Sequence, residues 1–289
     1  MAFSPDGRFL VSCSMNDDTV RVWDVQARAQ NRALNVEGGV GGVTFSPDGQ
    51  QVATGNMRAS ADVWDVASGR RLRRFAGDED TSVNTVAFSP DGRLLAGGNP
   101  HVKLWDVTTG RLVARLSIGA GHHGVNRVAF SPDGKIVAAA TDGFGAKSFG
   151  RGAVLLWDVS TLRRVAVLRG PAATIRAMAF NPDGKTFATN GPYPKVALWD
   201  VAARRVTATL SGHVESVSAV AFNADGTILV SASDDRSIRI WDVAARRSTA
   251  VLNGTDHPIT AVAITGDGTT VAGGGGLFGD KTVRLWKVQ

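Results

Sequence analysis

Seven tryptophans, all that the chain contains, recur at Trp23, Trp64, Trp105, Trp157, Trp199, Trp241 and Trp286, spaced 41, 41, 52, 42, 42 and 45 residues apart. The first six are each followed by Asp-Val, and the last by Lys287-Val288. Upstream of each stands a tight-turn motif. It reads Ser4-Pro5-Asp6-Gly7, Ser46-Pro47-Asp48-Gly49, Ser89-Pro90-Asp91-Gly92 and Ser131-Pro132-Asp133-Gly134 in the first four copies. It then drifts to Asn181-Pro182-Asp183-Gly184, Asn223-Ala224-Asp225-Gly226 and Thr265-Gly266-Asp267-Gly268. A repeat of about 40–45 residues is the length of one four-stranded blade. A sheet that small cannot bury both of its faces alone, and radial stacking of copies solves that.

The segments between these markers alternate as strands do. Val217 to Phe222 meets an Asp-Gly turn, where glycine takes positive φ cheaply. Ile228 to Ser233 reads as the second strand, Ser237 to Trp241 as the third, and Arg205 to Leu210 as the outer strand of the blade before. No segment sustains a helical period. The expectation is an all-β, seven-bladed β-propeller forming one domain over residues 1–289. Its blades fall near 1–36, 37–76, 77–118, 119–169, 170–211, 212–253 and 254–289.

The pattern resembles the WD40 family over essentially the whole chain, on six Trp-Asp-Val copies in register. That resemblance implies, in each good blade, a hydrogen-bonded set of His, Ser or Thr, Asp and Trp joining the loops to the sheet. Blade six matches it residue by residue with Gly212-His213, Ser231, Asp235 and Trp241. Elsewhere the set decays: Pro171 and Thr255 replace the histidine, and blades two to five lack the aspartate of the b–c turn, which joins the second and third strands. The middle blades are therefore expected to rely on packing and to have looser b–c turns. Met1-Ala2-Phe3 aligns within a first strand, and the chain ends just after a third strand. The seventh blade is thus expected to lack its outer strand, and the chain is read as part of a longer protein. The near-consensus repeats resemble bacterial WD40 arrays appended to signalling or regulatory effectors.

Charge narrows the function. A formal net charge of +6 suggests nucleic acid, but its distribution argues against it. Thirteen of the 26 acids are the Asp-Gly and Trp-Asp aspartates of the turns. Arginines such as Arg70, Arg71, Arg73, Arg74, Arg204 and Arg205 share those turns and the outer strands. That mixture reads as a solvated, edge-protecting surface. Nearly all the remaining acids fall in the opposite loops and favour a basic or amphipathic protein or peptide. Two insertions land there, 143–152 in blade four and 273–279 in blade seven, and such insertions often mark a binding face. The candidate contact residues are Phe144, Lys147, Phe149, Arg151, Tyr193, Leu277 and Phe278, beside Asp78, Glu79 and Asp80.

Enzyme readings find little. Gly145-Ala146-Lys147-Ser148 lacks the glycine before lysine and the following helix of a phosphate loop. His122-His123 is the only histidine pair, with His122 one residue out of register with the Gly-His position of the family, and His101, His213 and His257 have no carboxylate at metal-ligand spacing. No nucleophile motif is present. No catalytic residue, metal or cofactor is assigned, and a dispersed site in a propeller channel stays the alternative, with nucleic-acid association through the basic outer strands as another. No run of about 18 apolar residues and no signal peptide is seen. The single cysteine, Cys13, fits a reducing compartment, so cytoplasm is expected. The reading is a protein-interaction scaffold or sensor module, possessing an effector domain elsewhere on its full-length chain.

Overall fold

The computed structural model of the chain describes residues 1–14, 18–76, 81–119, 124–143, 152–170, 174–275 and 282–288. Among these residues there are strands and turns and no helix. Seven antiparallel sheets follow one another in chain order, six of four strands and the last of three. They are the blades of a seven-bladed β-propeller, as the repeat predicts. The chain packs as two compact units, Met1–Thr141 with Leu155–Val165, and Asp142–Val154 with Ala166–Gln289.

In the first unit, blade one is Ala2–Phe3, Phe9–Cys13, Thr19–Asp24 and Ala29–Asn35; blade two is Val40–Phe45, Gln51–Asn56, Ser60–Asp65 and Arg71–Ala76. The apolar faces meet between sheets: Val11, Val20, Val22 and Leu34 of blade one pack with Val43, Phe45, Val52 and Trp64 of blade two. One blade further on, Phe75 meets Trp105 at 5.7 Å between ring centroids. In the second unit, blade five is Met178–Phe180, Thr186–Asn190, Val196–Asp200 and Arg205–Leu210; blade six is Val217–Phe222, Ile228–Ser233, Ile238–Asp242 and Arg247–Leu252. There Ala188, Val196 and Leu198 pack against Val217, Leu229 and Trp241. Each of these tryptophans thus fills the gap toward the preceding blade.

The turn motifs have a common chemistry. Ser46 Oγ donates to Asp48 Oδ1 at 2.5 Å and accepts from the Gln51 amide at 2.9 Å, while Asp48 accepts from the Gln50 amide at 3.0 Å. Gly49 sits at φ +72°, the left-handed region that glycine enters without a steric penalty. The aspartate after each of the first six tryptophans closes the next turn, accepting from the amide three residues on: Ala27, Ser68, Thr109, Thr161, Ala203 and Ala245, at 2.6–2.8 Å. The thirteen turn aspartates are therefore structural.

What holds the indole nitrogen varies. Trp23, Trp64, Trp199 and Trp241 donate to Ser12, Thr54, Thr189 and Ser231 at 2.8–3.2 Å. At the same register blades three and seven carry Gly97 and Gly273, and the tryptophan ring lies so close that a Cβ on Gly97 would stand 2.7 Å from Trp105. Trp286 donates instead to the Asn253 carbonyl at 3.3 Å. Its strand, Val283–Lys287, is half-buried, whereas the third strands of blades two to six are mostly buried. Trp241→Ala should therefore cost about 3–5 kcal/mol, and Trp286→Ala distinctly less. Urea unfolding of the two variants checks this; equal losses would contradict the packing difference.

Candidate functional site

Blade six carries one continuous polar rod. Trp241 Nε1 donates to Ser231 Oγ at 2.8 Å, and Ser231 Oγ lies 2.7 Å from His213 Nε2. His213 Nδ1 lies 2.7 Å from Asp235 Oδ2. With the imidazole neutral, the serine hydroxyl donates to Nε2 and Nδ1–H donates to the carboxylate, so every group of the rod has a partner. Asp235 also accepts from the Val214 amide (3.2 Å), the Ser237 amide (3.0 Å) and the Ser237 hydroxyl (2.6 Å). Burial pushes the Asp235 carboxyl up, but these hydrogen bonds outweigh it and hold the group below its ordinary range. The His213 imidazole is held below 6.5, chiefly by burial and against the pull of Asp235.

Ser231, His213 and Asp235 have the contacts of a hydrolytic triad, yet the arrangement does no such chemistry. Ser231 is fully buried and its oxygen already accepts from the indole. A nucleophile needs an open approach for its substrate, and here there is none. The rod instead fixes the loop 211–216, between blades five and six, against the turn 234–237.

That fixed loop presents the described part of the candidate surface. Tyr193, in the b–c turn of blade five, is 64% exposed, and Val214 is 71% exposed. The two are joined, for the Tyr193 hydroxyl lies 2.7 Å from Glu215 Oε2 and 3.2 Å from the Val214 carbonyl. The hydrogen bond to Glu215 raises the phenol above its ordinary range, and the charge of Asp234 adds to this. The Asp234 carboxylate accepts from the Ser218 hydroxyl at 2.8 Å, and its backbone amide donates a hydrogen bond to the Ser216 carbonyl. The result is an exposed apolar pair on a braced acidic rim.

Of the residues expected from sequence, His213, Ser231, Asp235 and Trp241 come together, and Tyr193 lies on the surface they support. Phe144, Lys147, Phe149, Arg151, Leu277, Phe278, Asp78, Glu79 and Asp80 lie outside the described residues. Val214 and Glu215 complete the Tyr193 patch, and only the run of acids in these loops hinted at Glu215.

The middle blades correct the expectation of b–c turns held by packing alone. Blade two buries Asp62, which Arg74 Nε reaches at 3.0 Å and Asn56 Nδ2 at 3.0 Å; Arg74 also pairs with Glu37 at 3.0 Å. The Arg74 hydrogen bond holds Glu37 below the usual carboxylate range. In blade five, Asn190 Oδ1 accepts from the amides of Arg176 and Ala177 at 2.9 and 3.1 Å. In blade three, Asn99 donates to Ser82 Oγ at 3.0 Å. An asparagine at or just after the end of the second strand thus does locally what the histidine set does in blade six. The arginines are also less free than a solvated fringe would be, since Arg73 donates to the Thr108 carbonyl and Arg32 to the Ala67 and Ser68 carbonyls.

Comparison with known proteins agrees with this architecture. Residues 2–150 match the family model described as the N-terminal domain of nucleolar protein 10-like proteins, a β-propeller domain. Residues 162–200, 204–242 and 246–287 match the WD domain, G-beta repeat. The chain belongs to the WD40-repeat β-propeller family. It is similar to transcription initiation factor TFIID subunit 5 of Caenorhabditis elegans, 28% identical over 190 residues, which cover 65% of this chain and 28% of that protein. It is similar also to apoptotic protease-activating factor 1 of Mus musculus, 27% identical over 187 residues, covering 65% of this chain and 12% of that protein. The guanine nucleotide-binding protein subunit beta of Oryza sativa subsp. indica is 34% identical over 70 residues, 24% of this chain and 18% of its own length. The chain thus spans less than a third of the length of these relatives.

The rod gives a pH signature. The folded imidazole of His213 titrates below 6.5, so its contribution is complete above about pH 6.5 and is lost as pH falls toward the folded pKa. His213→Asn should cost about 1–3 kcal/mol at neutral pH and flatten the decline of stability just below pH 6.5. Urea midpoints of both proteins across that range check it; parallel profiles would contradict the neutral-imidazole assignment.

Proposed function

We propose that the chain is a protein-binding module that does no chemistry of its own, and that blades five and six carry part of its contact surface. The observation that carries this is the braced pair of Tyr193 and Val214, two large apolar side chains held exposed above Glu215 and Asp234. Exposed apolar groups fixed in place lose little entropy on binding, which is what an interface anchor requires. The acidic rim favours a basic or amphipathic segment over phosphate-rich nucleic acid.

The names of two relatives support the reading, since each is a subunit of a larger assembly. Against catalysis at the Ser231–His213–Asp235 set stands the burial of Ser231, which leaves its oxygen no approach for a substrate. We place the module in a longer signalling or regulatory protein that also carries an effector domain. A bacterial source rests on the likeness of the repeats to bacterial arrays. A cytoplasmic location rests on the single cysteine, Cys13, in a reducing compartment.

Affinity capture from the source organism, comparing the wild type with the double variant Tyr193→Ala, Val214→Asp, tests the reading. Both changes lie at exposed positions, so the variant should melt with the wild type. Partners held by the wild type and lost by the variant are the expected result; unchanged recovery would sink it.

A further inference from the structure

We propose that the partner segment places an arginine on the Tyr193 ring, its guanidinium reaching Glu215 and Asp234 while a neighbouring apolar side chain rests on Val214. This rests on the protein-binding reading above and names the chemistry of the partner. The phenol oxygen is tethered at its tip, by Glu215 Oε2 and the Val214 carbonyl, so the ring stands fixed with 64% of the residue open to solvent. A phenol that donates to a carboxylate has an electron-richer ring, and a cation over that face gains accordingly.

The two carboxylates keep acceptor capacity in reserve. Glu215 uses Oε2 for the phenol and Asp234 uses Oδ1 for Ser218. Among the described residues neither Glu215 Oε1 nor Asp234 Oδ2 receives a side-chain hydrogen bond, and neither residue forms an ion pair. Lys195 lies in the turn of Tyr193 and Arg236 in that of Asp234, yet neither is paired with these acids among the described residues. A lysine would bring a point charge alone. A guanidinium is planar, so it can lie on the ring and still direct its fork of N–H donors at a carboxylate.

The chain contains a single tyrosine, so biosynthetic fluorotyrosine gives one fluorine NMR signal that reports this site and no other. The probes are acetylated, amidated pentapeptides Ala-Leu-Xaa-Leu-Ala in which Xaa is arginine, lysine or citrulline, the last an uncharged near-isostere of arginine. The arginine peptide should produce a saturable shift, with affinity about three- to fivefold above citrulline, the size expected of an exposed cation–π contact, and with lysine falling between the two. The variant Glu215→Gln, Asp234→Asn should reduce the arginine peptide to the citrulline level. Citrulline binding as tightly as arginine, or no shift with any peptide, overturns the proposal. The two readings fail differently. If Tyr193→Ala, Val214→Asp abolishes capture of a partner protein while Glu215→Gln, Asp234→Asn leaves it intact, the surface stands and the arginine falls. If neither variant alters capture, the protein-binding reading falls as well.

Discussion

A sheet of four short strands has two apolar faces and no interior, so everything here depends on what fills the space between one sheet and the next. In the packed pairs described, a tryptophan on the third strand does most of that filling, reaching toward the preceding blade. Trp64 enters the core of blade one, Trp105 meets Phe75 of blade two, and Trp241 joins the core of blade five. An indole carries one N–H into an apolar gap, and leaving it unsatisfied would cost about 1–3 kcal/mol. Four blades answer with a hydroxyl on the second strand; blades three and seven put a glycine there, which lets the ring move closer.

Blade six extends that answer outward. Because Ser231 serves both the indole and His213, the order in the core continues to Asp235 and from there to the amide of Val214. The loop becomes rigid through a chain of hydrogen bonds, and the exposed side chains on it inherit that rigidity. Charge is distributed by the same logic. The turn aspartates are occupied by turn amides and hydroxyls, and several arginines close loops or pair with Asp62 and Glu37. A net charge of +6 is therefore a poor guide to partners, because many of the charges behind it are committed within the fold.

The fold was legible because each repeat announces itself twice, by an Asp-Gly turn and by a tryptophan, and both signals are local. The blade-six set was legible for the same reason, since His213, Ser231, Asp235 and Trp241 stand at repeat-fixed positions. Asp62 was not. It lies two residues before Trp64 in a strand that otherwise reads as apolar, where blades one, three, six and seven carry Arg21, Lys103, Arg239 and Arg284. That reversal of sign was the available signal, and its partner Arg74 lies directly across the sheet. The asparagines Asn56 and Asn190 end their second strands and Asn99 follows its own, and no repeat-fixed motif marks these positions. The contact of Tyr193 with Glu215 was out of reach, because it joins two loops 22 residues apart whose approach follows from blade packing.

The central claim is that the polar rod of blade six makes the Tyr193–Val214 surface rigid. Amide hydrogen exchange tests it directly, because the Val214 amide donates to Asp235 and the Asp234 amide to the Ser216 carbonyl. In the wild type both amides should exchange slowly, on the scale of the blade-six strands. In Ser231→Ala their protection should fall while that of blades two and three is unchanged. Fast exchange of both amides in the wild type, or protection that survives the loss of Ser231, would contradict the account.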